Sequence, residues 1–426
     1  MKDNQISKWS RTSKNIYERF AAELEDGIET GSRVTSGNQD VKYGIELMTN
    51  RLKKKNLSMS YDIIPRGLSF DKDRFREWKD SHYSNKLYYR TCQLKKTVFS
   101  EDKKIYSNED CMDMYQTVTD IITGVHVDND YYCCPNCGAG VMINKLVEGC
   151  PYCGTYFKMD ELYPKVSNFY FLRDYSRTED ELKSEIKKYV IPPIVISAVC
   201  YTLFFLLFSE KPMHLVGALI AGSISGVLFG GFLGYLVWAF SKLGGLFKDA
   251  GKSIGLLTKI AGTAGKFNSF MKKYSDEISF EYFQAKVISM IRVIAFADNP
   301  TELPIYTGID IEGLFDDIID MDFRGAIAIK NIKEENEKIY ITADAYMIDY
   351  YEKNKKVKRN EDCIRVVMER KADIPIDFNF SIKKIQCPSC AGSFDATKNK
   401  ICPFCNTEYK IDEMDWVINS IKIVQH

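Results

Sequence analysis

Two long runs without a charged residue constrain the fold most strongly. The first, VIPPIVISAVCYTLFFLLF, covers residues 190–208, and the second, LVGALIAGSISGVLFGGFLGYLVWAF, covers residues 215–240. As a helix, each run is long enough to cross roughly 30 Å of hydrocarbon. The alternative, a pair of buried core helices, is disfavoured because both runs are uniformly apolar. Tyr235 and Trp238 suit an interfacial position. We therefore predict a transmembrane helical hairpin within residues 188–241.

The charges around these runs predict the orientation of the hairpin. Lys and Arg number five in residues 173–189 and four in residues 241–260, whereas the connecting loop contains only Lys211. By the positive-inside rule, both ends of the hairpin face the cytosol. The N-terminus, MKDNQISKWSRTSKN, is polar and lacks the apolar core of a signal peptide. We expect a multi-pass protein of the cell membrane with both termini in the cytoplasm.

Cysteine pairs of the form C-P-x-C indicate two metal sites. Eight of the 13 cysteines form two clusters of similar spacing: Cys134, Cys137, Cys150 and Cys153, then Cys387, Cys390, Cys402 and Cys405. Two such turns direct four thiolates at one point, the tetrahedral geometry that suits Zn²⁺. The segments CPYCGTYFKMDEL and CPFCNTEYKIDEM match at seven positions without a gap. We predict two zinc ribbons, at residues 131–165 and 385–426, the second with a C-terminal strand. Iron of the rubredoxin kind is the alternative to zinc.

The same clusters bear on backbone conformation, compartment and partners. Gly138, Gly154 and Asn406 follow C-P-x-C turns, where a positive φ is often needed. An odd cysteine count with eight residues in pairs favours reduced thiolates over a secreted disulfide framework. Residues 134–162 have two Lys against three acids, and residues 387–415 have three against five, on a chain of zero net charge. Because phosphate binding needs positive charge, we expect structural ribbons and no nucleic-acid partner.

The second apolar run contains a stripe of small residues. Glycines recur at every fourth position, namely Gly222, Gly226, Gly230 and Gly234. Small residues at this spacing form a groove that lets another helix approach closely in lipid. Two partners remain open: the first span of the same chain, or a second copy in a homo-oligomer.

A lysine-rich segment follows the second span, at residues 242–274. It contains seven Lys and one Asp up to residue 273, and Lys252, Lys259 and Lys266 recur every seven residues opposite an apolar seam that includes Ala264. Its six glycines make it a poor helix in water, since each costs about 1 kcal/mol relative to Ala. We expect a basic amphipathic helix on anionic membrane lipid. A partner-helix seam and a flexible linker are the alternatives.

The remaining residues predict mixed helices and strands. Residues 1–130 are expected to form an α/β region with a strand–turn–strand at 94–106 and a helix at 107–124. Residues 275–380 are expected to form an α+β domain. Its predicted elements are an aromatic-rich helix at 279–298, a shorter helix at 310–322, and strands at 324–332, 337–351 and 361–370 joined by charged hairpin turns.

This order of elements resembles the Tim44-like domain. The features that carry the resemblance are the basic amphipathic helix, SFEYFQAKVISMIRVIAFAD, DIEGLFDDIIDMD and three long strands that end in MER. The resemblance covers residues 275–371. It implies a cone-shaped fold of the cystatin/NTF2 type, a pocket between helices and sheet, and membrane-associated binding of protein or lipid. With its ribbons and hairpin, the whole chain is similar to bacterial inner-membrane proteins that carry a Tim44-like domain and zinc ribbons.

These features predict a membrane-anchored, cytosol-facing adaptor that holds a protein or lipid partner at the inner membrane. The alternatives are an oligomeric pore or transport component and a small-molecule enzyme that uses the cone pocket. Candidates for such an enzyme are Asp344, Tyr346 and Asp349, but period-two counting places Asp349 on the other strand face. No histidine lies between residues 279 and 380, and we expect no enzymatic activity. A further acidic group, which could bind Ca²⁺, consists of Asp316, Asp317, Asp320 and Asp322. Ordinary carboxylates of a turn and a helix face explain this group as well.

Overall fold

The structure is a computed structural model that forms two compact units. One contains Met1–Arg173 with Ile260–His426, and the other contains Asp174–Lys259. The residues that it describes are 9–32, 34–66, 76–79, 83–121, 131–134, 139–142, 145, 148–154, 164–173, 179–207, 214–237, 262–275, 278–374, 384–387, 389–390, 393–395, 399–408, 410–413 and 415–424.

The described residues form α-helices and β-strands in the following order. The helices are α1 (Ile16–Thr30), α2 (Gln39–Lys54), α3 (Glu179–Leu207), α4 (Leu215–Val237), α5 (Thr263–Met271) and α6 (Phe280–Phe296). The strands are β1 (Leu57–Pro65), β2 (Arg76–Lys79), β3 (Tyr83–Ser100), β4 (Lys103–Ile121), β5 (Tyr131–Cys133), β6 (Gly140–Met142), β7 (Lys165–Arg173), β8 (Ile318–Glu335), β9 (Lys338–Lys353), β10 (Lys356–Lys371), β11 (Lys384–Gln386), β12 (Ser393–Asp395) and β13 (Val417–Val424).

The first large sheet is antiparallel and has the order β1-β3-β4-β7, with β2 also paired to β3. The long β3–β4 hairpin turns at Glu101 and Asp102, whose φ angles of 49° and 63° match the right-handed twist of the flanking strands. The strand–turn–strand predicted at residues 94–106 is therefore confirmed. Helices α1 and α2 pack against this sheet, on β1 and β7.

The helix predicted at residues 107–124 is wrong, because β4 occupies most of that stretch. Met112, Met114 and Val118 are buried at even positions along the strand, at 3%, 1% and 5% exposure. Pairing with β3 on one side and β7 on the other supplies hydrogen bonds that the isolated segment does not have. The apolar spacing of three and four residues was thus a coincidence that long-range pairing overrode.

The second large sheet is antiparallel and has the order β13-β10-β9-β8. Its hairpins turn at Asn336–Glu337 and Asn354–Lys355, all with φ between 53° and 61°. Helix α6 and the three predicted strands are confirmed. The short helix predicted at 310–322 is wrong, since β8 begins at Ile318. Residues Ile318–Phe323 are all buried, and a strand covered on both faces loses its alternating pattern.

The residues before and after the apolar helices share one hydrophobic core. Arg51 of α2 donates to the carbonyl oxygens of Phe315 at 2.6 Å and Ala297 at 3.1 Å, and it is only 7% exposed. Near the chain end, β13 pairs with β10, with Ile364 opposite Ile423. The N-terminal region and the α+β region therefore pack as one unit, which no local sequence pattern had indicated.

Helices α3 and α4 form the second unit. Two segments, Lys187–Leu207 and Leu215–Val237, are long and apolar enough to cross a membrane. A Cβ built on Gly226 would lie 2.5 Å from the Cβ of Ala198, and one built on Gly230 would lie 2.5 Å from the Cα of Ile194. The glycine stripe therefore packs against α3 of the same chain. Of the two partners considered from the sequence, this is the first span rather than a second copy.

Only the end of the lysine-rich segment lies among the described residues. Lys252 and Lys259 lie outside them, whereas Lys266 is exposed on α5. This helix buries Phe267 and Met271 completely, and it packs against β8 and α6. Ala264, expected in the apolar seam, is exposed. The face that α5 buries is therefore set by its packing within the first unit.

Candidate metal centres

The second cysteine cluster brings its four thiols together. The Sγ atoms of Cys387, Cys390, Cys402 and Cys405 all lie within 4.8 Å of one another. Cys387 and Cys405 are 3.5 Å apart, and Cys390 and Cys402 are 3.7 Å apart. A tetrahedron with zinc–sulfur bonds of about 2.3 Å has sulfur–sulfur edges of about 3.8 Å. The separations match such a tetrahedron and exceed the roughly 2 Å of a disulfide.

The first cluster shows three of its four predicted ligands together. Cys134, Cys150 and Cys153 form a group that could hold a metal ion, and the Sγ atoms of Cys134 and Cys153 are 3.7 Å apart. Cys134 and Cys150 are buried beside Ala139 and Val141. Cys137 lies outside the described residues.

Both clusters are built on the same backbone frame. The two strands of a short hairpin flank each first C-P-x-C turn, with Cys133 opposite Gly140 in one copy and Gln386 opposite Ser393 in the other. Both pairs are therefore seven residues apart in sequence.

The second turn of each cluster is also shared. The N–H of Gly154 donates to the carbonyl oxygen of Cys150 at 2.8 Å, and that of Asn406 donates to Cys402 at 2.9 Å. The φ angles of Gly154 and Asn406 are 68° and 60°, which confirms the predicted positive φ at both positions. The internal repeat seen in the sequence is thus a repeat of backbone structure.

The surroundings of the second cluster favour the thiolate form that binds metal. The hydroxyl oxygen of Thr407 lies 3.2 Å from the Sγ of Cys405. Its hydrogen bond, followed by the Thr407 backbone N–H and then Cys390, lowers the pKa of Cys405 to about 6. Thiolate sulfur is a soft donor that binds zinc or iron tightly. The arrangement can therefore hold a metal ion without further ligands.

The second cluster is tied directly to the core of the first unit. A short 3₁₀ turn at Ile411–Glu413 leads to Trp416, which is 1% exposed, and then to β13. The carboxylate of Asp415 pairs with the Lys286 ammonium of α6. Burial disfavours that ammonium, but the neighbouring Asp415 outweighs the effect and raises the pKa of Lys286. The cluster is thus held at a defined place on the folded unit.

The three residues considered for catalysis do not converge. Asp344 accepts from Arg365, with Nε at 2.6 Å and Nη2 at 2.9 Å. Burial raises the pKa of Asp344, yet the Arg365 hydrogen bond outweighs it and leaves the pKa lowered. Tyr346 is 2% exposed, and Asp349 is completely buried with a pKa raised well above its ordinary value, first by burial and then by Asp362. All three residues are therefore buried positions of strand β9.

The acidic group considered for Ca²⁺ is divided between the surface and the core. Asp316 and Asp317 are exposed, whereas Asp320 and Asp322 on β8 are 3% and 2% exposed. Nζ of Lys96 lies 2.6 Å from Asp320 Oδ2 and 2.7 Å from Asp322 Oδ1. A buried lysine thus occupies the place that a cation would take.

Sequence reasoning missed Lys96, although a signal existed. Lys96 is 3% exposed and lies between Leu94 and Val98, which are 2% and 1% exposed. Strict alternation along β3 places all three on one face. Two tyrosines complete this buried charged cluster. Tyr61 donates to Asp320 at 2.7 Å, and Tyr350 donates to Asp322 at 2.9 Å.

Comparison of the chain with protein-family models, with curated proteins and with solved structures found no match in any of the three. The resemblance to Tim44-like domains therefore stays a prediction from the sequence.

Proposed function

We propose that this chain is a membrane-anchored adaptor whose folded unit holds a protein or lipid partner at the cytosolic face of the inner membrane. The observation that carries the proposal is the helix pair α3–α4. Leu207, Val216 and Leu228 are 70%, 68% and 65% exposed on its surface, an arrangement suited to a hydrocarbon environment. The nine-to-one excess of Lys and Arg in the flanks over the loop supports cytosolic ends.

The two cysteine clusters are proposed as structural Zn²⁺ sites of this adaptor. Sulfur separations of 3.5–3.7 Å and a shared backbone frame support tetrahedral S₄ coordination. Short segments of this kind gain their folding free energy from the metal, on the order of 10–16 kcal/mol per site. The Tim44-like identity of residues 275–371 belongs to the same proposal, supported by helix α6 packed with an antiparallel sheet.

The partner is tested by purifying the tagged full-length chain from membranes in mild detergent after chemical cross-linking. The adaptor proposal predicts that a protein or lipid co-purifies and that its cross-links fall on Met1–Arg173 or Ile260–His426. Cross-links confined to α3 and α4 would instead favour a pore or transport component. Reporter fusions at each terminus check the orientation, and a C-terminal reporter active outside the cytosol would overturn it.

The contribution of the lysine-rich segment is tested by charge reversal. Changing Lys252, Lys259 and Lys266 together to Glu should abolish binding of a 242–273 peptide to anionic vesicles, whereas the matched change to Arg should preserve it. Binding should weaken as salt rises, because exposed charges are screened over about 10 Å at 0.1 M salt. If the Glu and Arg peptides bound the vesicles equally, the proposal that this segment binds anionic lipid would be wrong.

A further inference from the structure

The two cysteine clusters differ in what their buried thiols pack against. Cys387 and Cys402 of the second cluster belong to the large hydrophobic core of the first unit, together with Trp416. The buried thiols of the first cluster lie in a separate group of four buried residues: Cys134, Ala139, Val141 and Cys150. The second cluster is therefore part of the main core, whereas the first forms a small core of its own.

The second cluster is connected to β13 by a short, hydrogen-bonded segment. The N–H of Cys402 donates to the carbonyl oxygen of Thr407 at 2.9 Å. The 3₁₀ turn at Ile411–Glu413 follows, and the N–H of Asp415 donates back to the carbonyl oxygen of Ile411 at 2.9 Å. This turn packs against β10, the strand that also pairs with β13. The place of the second C-P-x-C turn is thus linked to the start of β13.

Two side chains hold this segment on the core. The ring centroid of Trp416 lies 5.6 Å from that of Phe283 on α6, and the Arg370 guanidinium of β10 lies over the Trp416 ring at 5.4 Å. Asp415 pairs with Lys286 of α6, and their side chains are only 7% and 12% exposed. The contacts next to the cluster therefore reach a helix and a strand of the main core.

Both edges of β13 are used in backbone hydrogen bonds. One edge pairs with β10. On the other edge, the N–H of Ile418 donates to the carbonyl oxygen of Ile305 at 2.8 Å, and the N–H of Thr307 donates to the carbonyl oxygen of Ile418 at 3.0 Å. A Cβ built on Gly308 would overlap the carbonyl oxygen of Asn419, so the two segments lie in close contact. The backbone at residues 305–308 therefore depends on β13 for its position.

We propose that Zn²⁺ at the second cluster, and not at the first, holds β13 and residues 305–307 on the second sheet, which makes the second cluster a metal-dependent conformational switch of the first unit. This inference rests on the proposed zinc sites. In short cysteine-ligated segments the free energy of metal binding is also free energy of folding. When the metal leaves, the segment that contains Trp416 loses its fixed start, β13 separates from β10, and the edge of β10 becomes open to pairing with another chain.

The test is hydrogen–deuterium exchange, read by mass spectrometry, on the full-length protein in lipid nanodiscs. Cys405→Ser and Cys153→Ser are matched changes, because each removes the exposed second cysteine of the second C-P-x-C turn in its cluster. Cys405→Ser should raise exchange at residues 417–424 and 305–307 about tenfold, whereas Cys153→Ser should leave both segments unchanged. Unchanged protection of β3 and β4 in both variants shows that the rest of the unit stays folded.

A second measurement removes the metal from an intact second cluster. A zinc chelator added to Cys153→Ser should raise exchange in β13 by a similar factor, and added Zn²⁺ should restore the protection. If β13 stayed protected after Zn²⁺ had left the second cluster, or if both serine variants exposed it equally, the inference would be overturned while the zinc sites stood. A wild-type protein that holds no Zn²⁺ would refute the zinc sites themselves, and this inference with them.

The coupling must also act in the reverse direction, because linkage between two equilibria is reciprocal. Lys286→Met removes the partner of Asp415 without changing a thiol, so it should weaken Zn²⁺ binding by the second cluster about fivefold in competition with a chelator. Lys96→Met is the control, because Lys96 pairs with Asp320 and Asp322 and not with the segment next to the cluster. Equal Zn²⁺ affinities in Lys286→Met and the wild type would contradict the switch.

Discussion

Replacement of Lys96 by Met gives the sharpest test of how the first unit is held together. Lys96 and its partners Asp320 and Asp322 are each no more than 3% exposed, and the ammonium contacts both carboxylates at 2.6–2.7 Å. Its removal leaves two buried carboxylates without a counter-charge. Breaking a buried ion pair in this way costs about 3–5 kcal/mol of the free energy of unfolding at neutral pH.

The pH dependence of this loss has a definite sign. Burial raises the pKa of Asp322, whereas the neighbouring Lys96 lowers it, and the burial effect prevails. Without Lys96, the Asp322 carboxyl holds its proton to higher pH in the folded state. The destabilisation by Lys96→Met should therefore shrink as pH falls from 7 to 5, because protonation removes the uncompensated charge. In Lys96→Met/Asp320→Asn/Asp322→Asn, most of the lost stability should return, since removing a whole buried ionic cluster is often close to neutral.

The assay is urea unfolding of the full-length protein in detergent, followed by tryptophan fluorescence, since Trp416 and Trp78 are buried in this unit. Lys54→Met is the matched control, because Lys54 pairs with Asp298 while its side chain is 61% exposed. Exposed pairs contribute about 0–1 kcal/mol. If Lys96→Met destabilised the protein no more than Lys54→Met, the argument from burial would be refuted.

Three further predictions follow from the clusters, the core and the helix pair. Metal analysis should give about two Zn per chain, and a ratio near zero would contradict the zinc sites. Cys402→Ser should lose one of the two Zn, whereas Cys200→Ser should keep both. Burial raises the pKa of Asp349, so the folded state keeps a proton that the unfolded chain releases above about pH 4. The free energy of unfolding should therefore fall by about 1.4 kcal/mol per pH unit as pH rises towards the raised pKa. Urea unfolding between pH 5 and 8 should show that Asp349→Asn lacks this slope. Gly226→Val places a side chain where a built Cβ lies 2.6 Å from an α3 Cα atom, so the cross-linking yield between cysteines introduced on facing positions of α3 and α4 should drop. Gly231→Ala, whose nearest contact would be 3.8 Å, should leave that yield unchanged.

Elements with a strong local signal were predictable from the sequence. The apolar runs, helix α6 and the β9–β10 hairpin each carry their pattern within a few turns or residues. The C-P-x-C turns behave likewise, because proline restricts its own φ and glycine or asparagine accepts the positive φ that follows. The spacing of the cysteines was therefore enough to name all four thiols of the second cluster.

The two helices predicted at 107–124 and 310–322 show where local reasoning ends. Both stretches have apolar residues three and four positions apart, but the first lies mostly in β4 and the second enters β8 at Ile318. Each strand gains its hydrogen bonds from partners distant in sequence, such as Met112 opposite Cys92. Long-range pairing of this kind outweighs helix propensities that differ by less than about 1 kcal/mol per residue.

The membrane-length helices, the cysteine clusters and the turns follow from the amino-acid sequence alone, because their physical causes lie within short segments. Tertiary packing was needed to join Met1–Arg173 with Ile260–His426 in one unit, and to bring Lys96 to Asp320 and Asp322 inside it. Lys96 and its two carboxylate partners are far apart in the chain, and their polar side chains look like surface residues until a partner from another strand buries them.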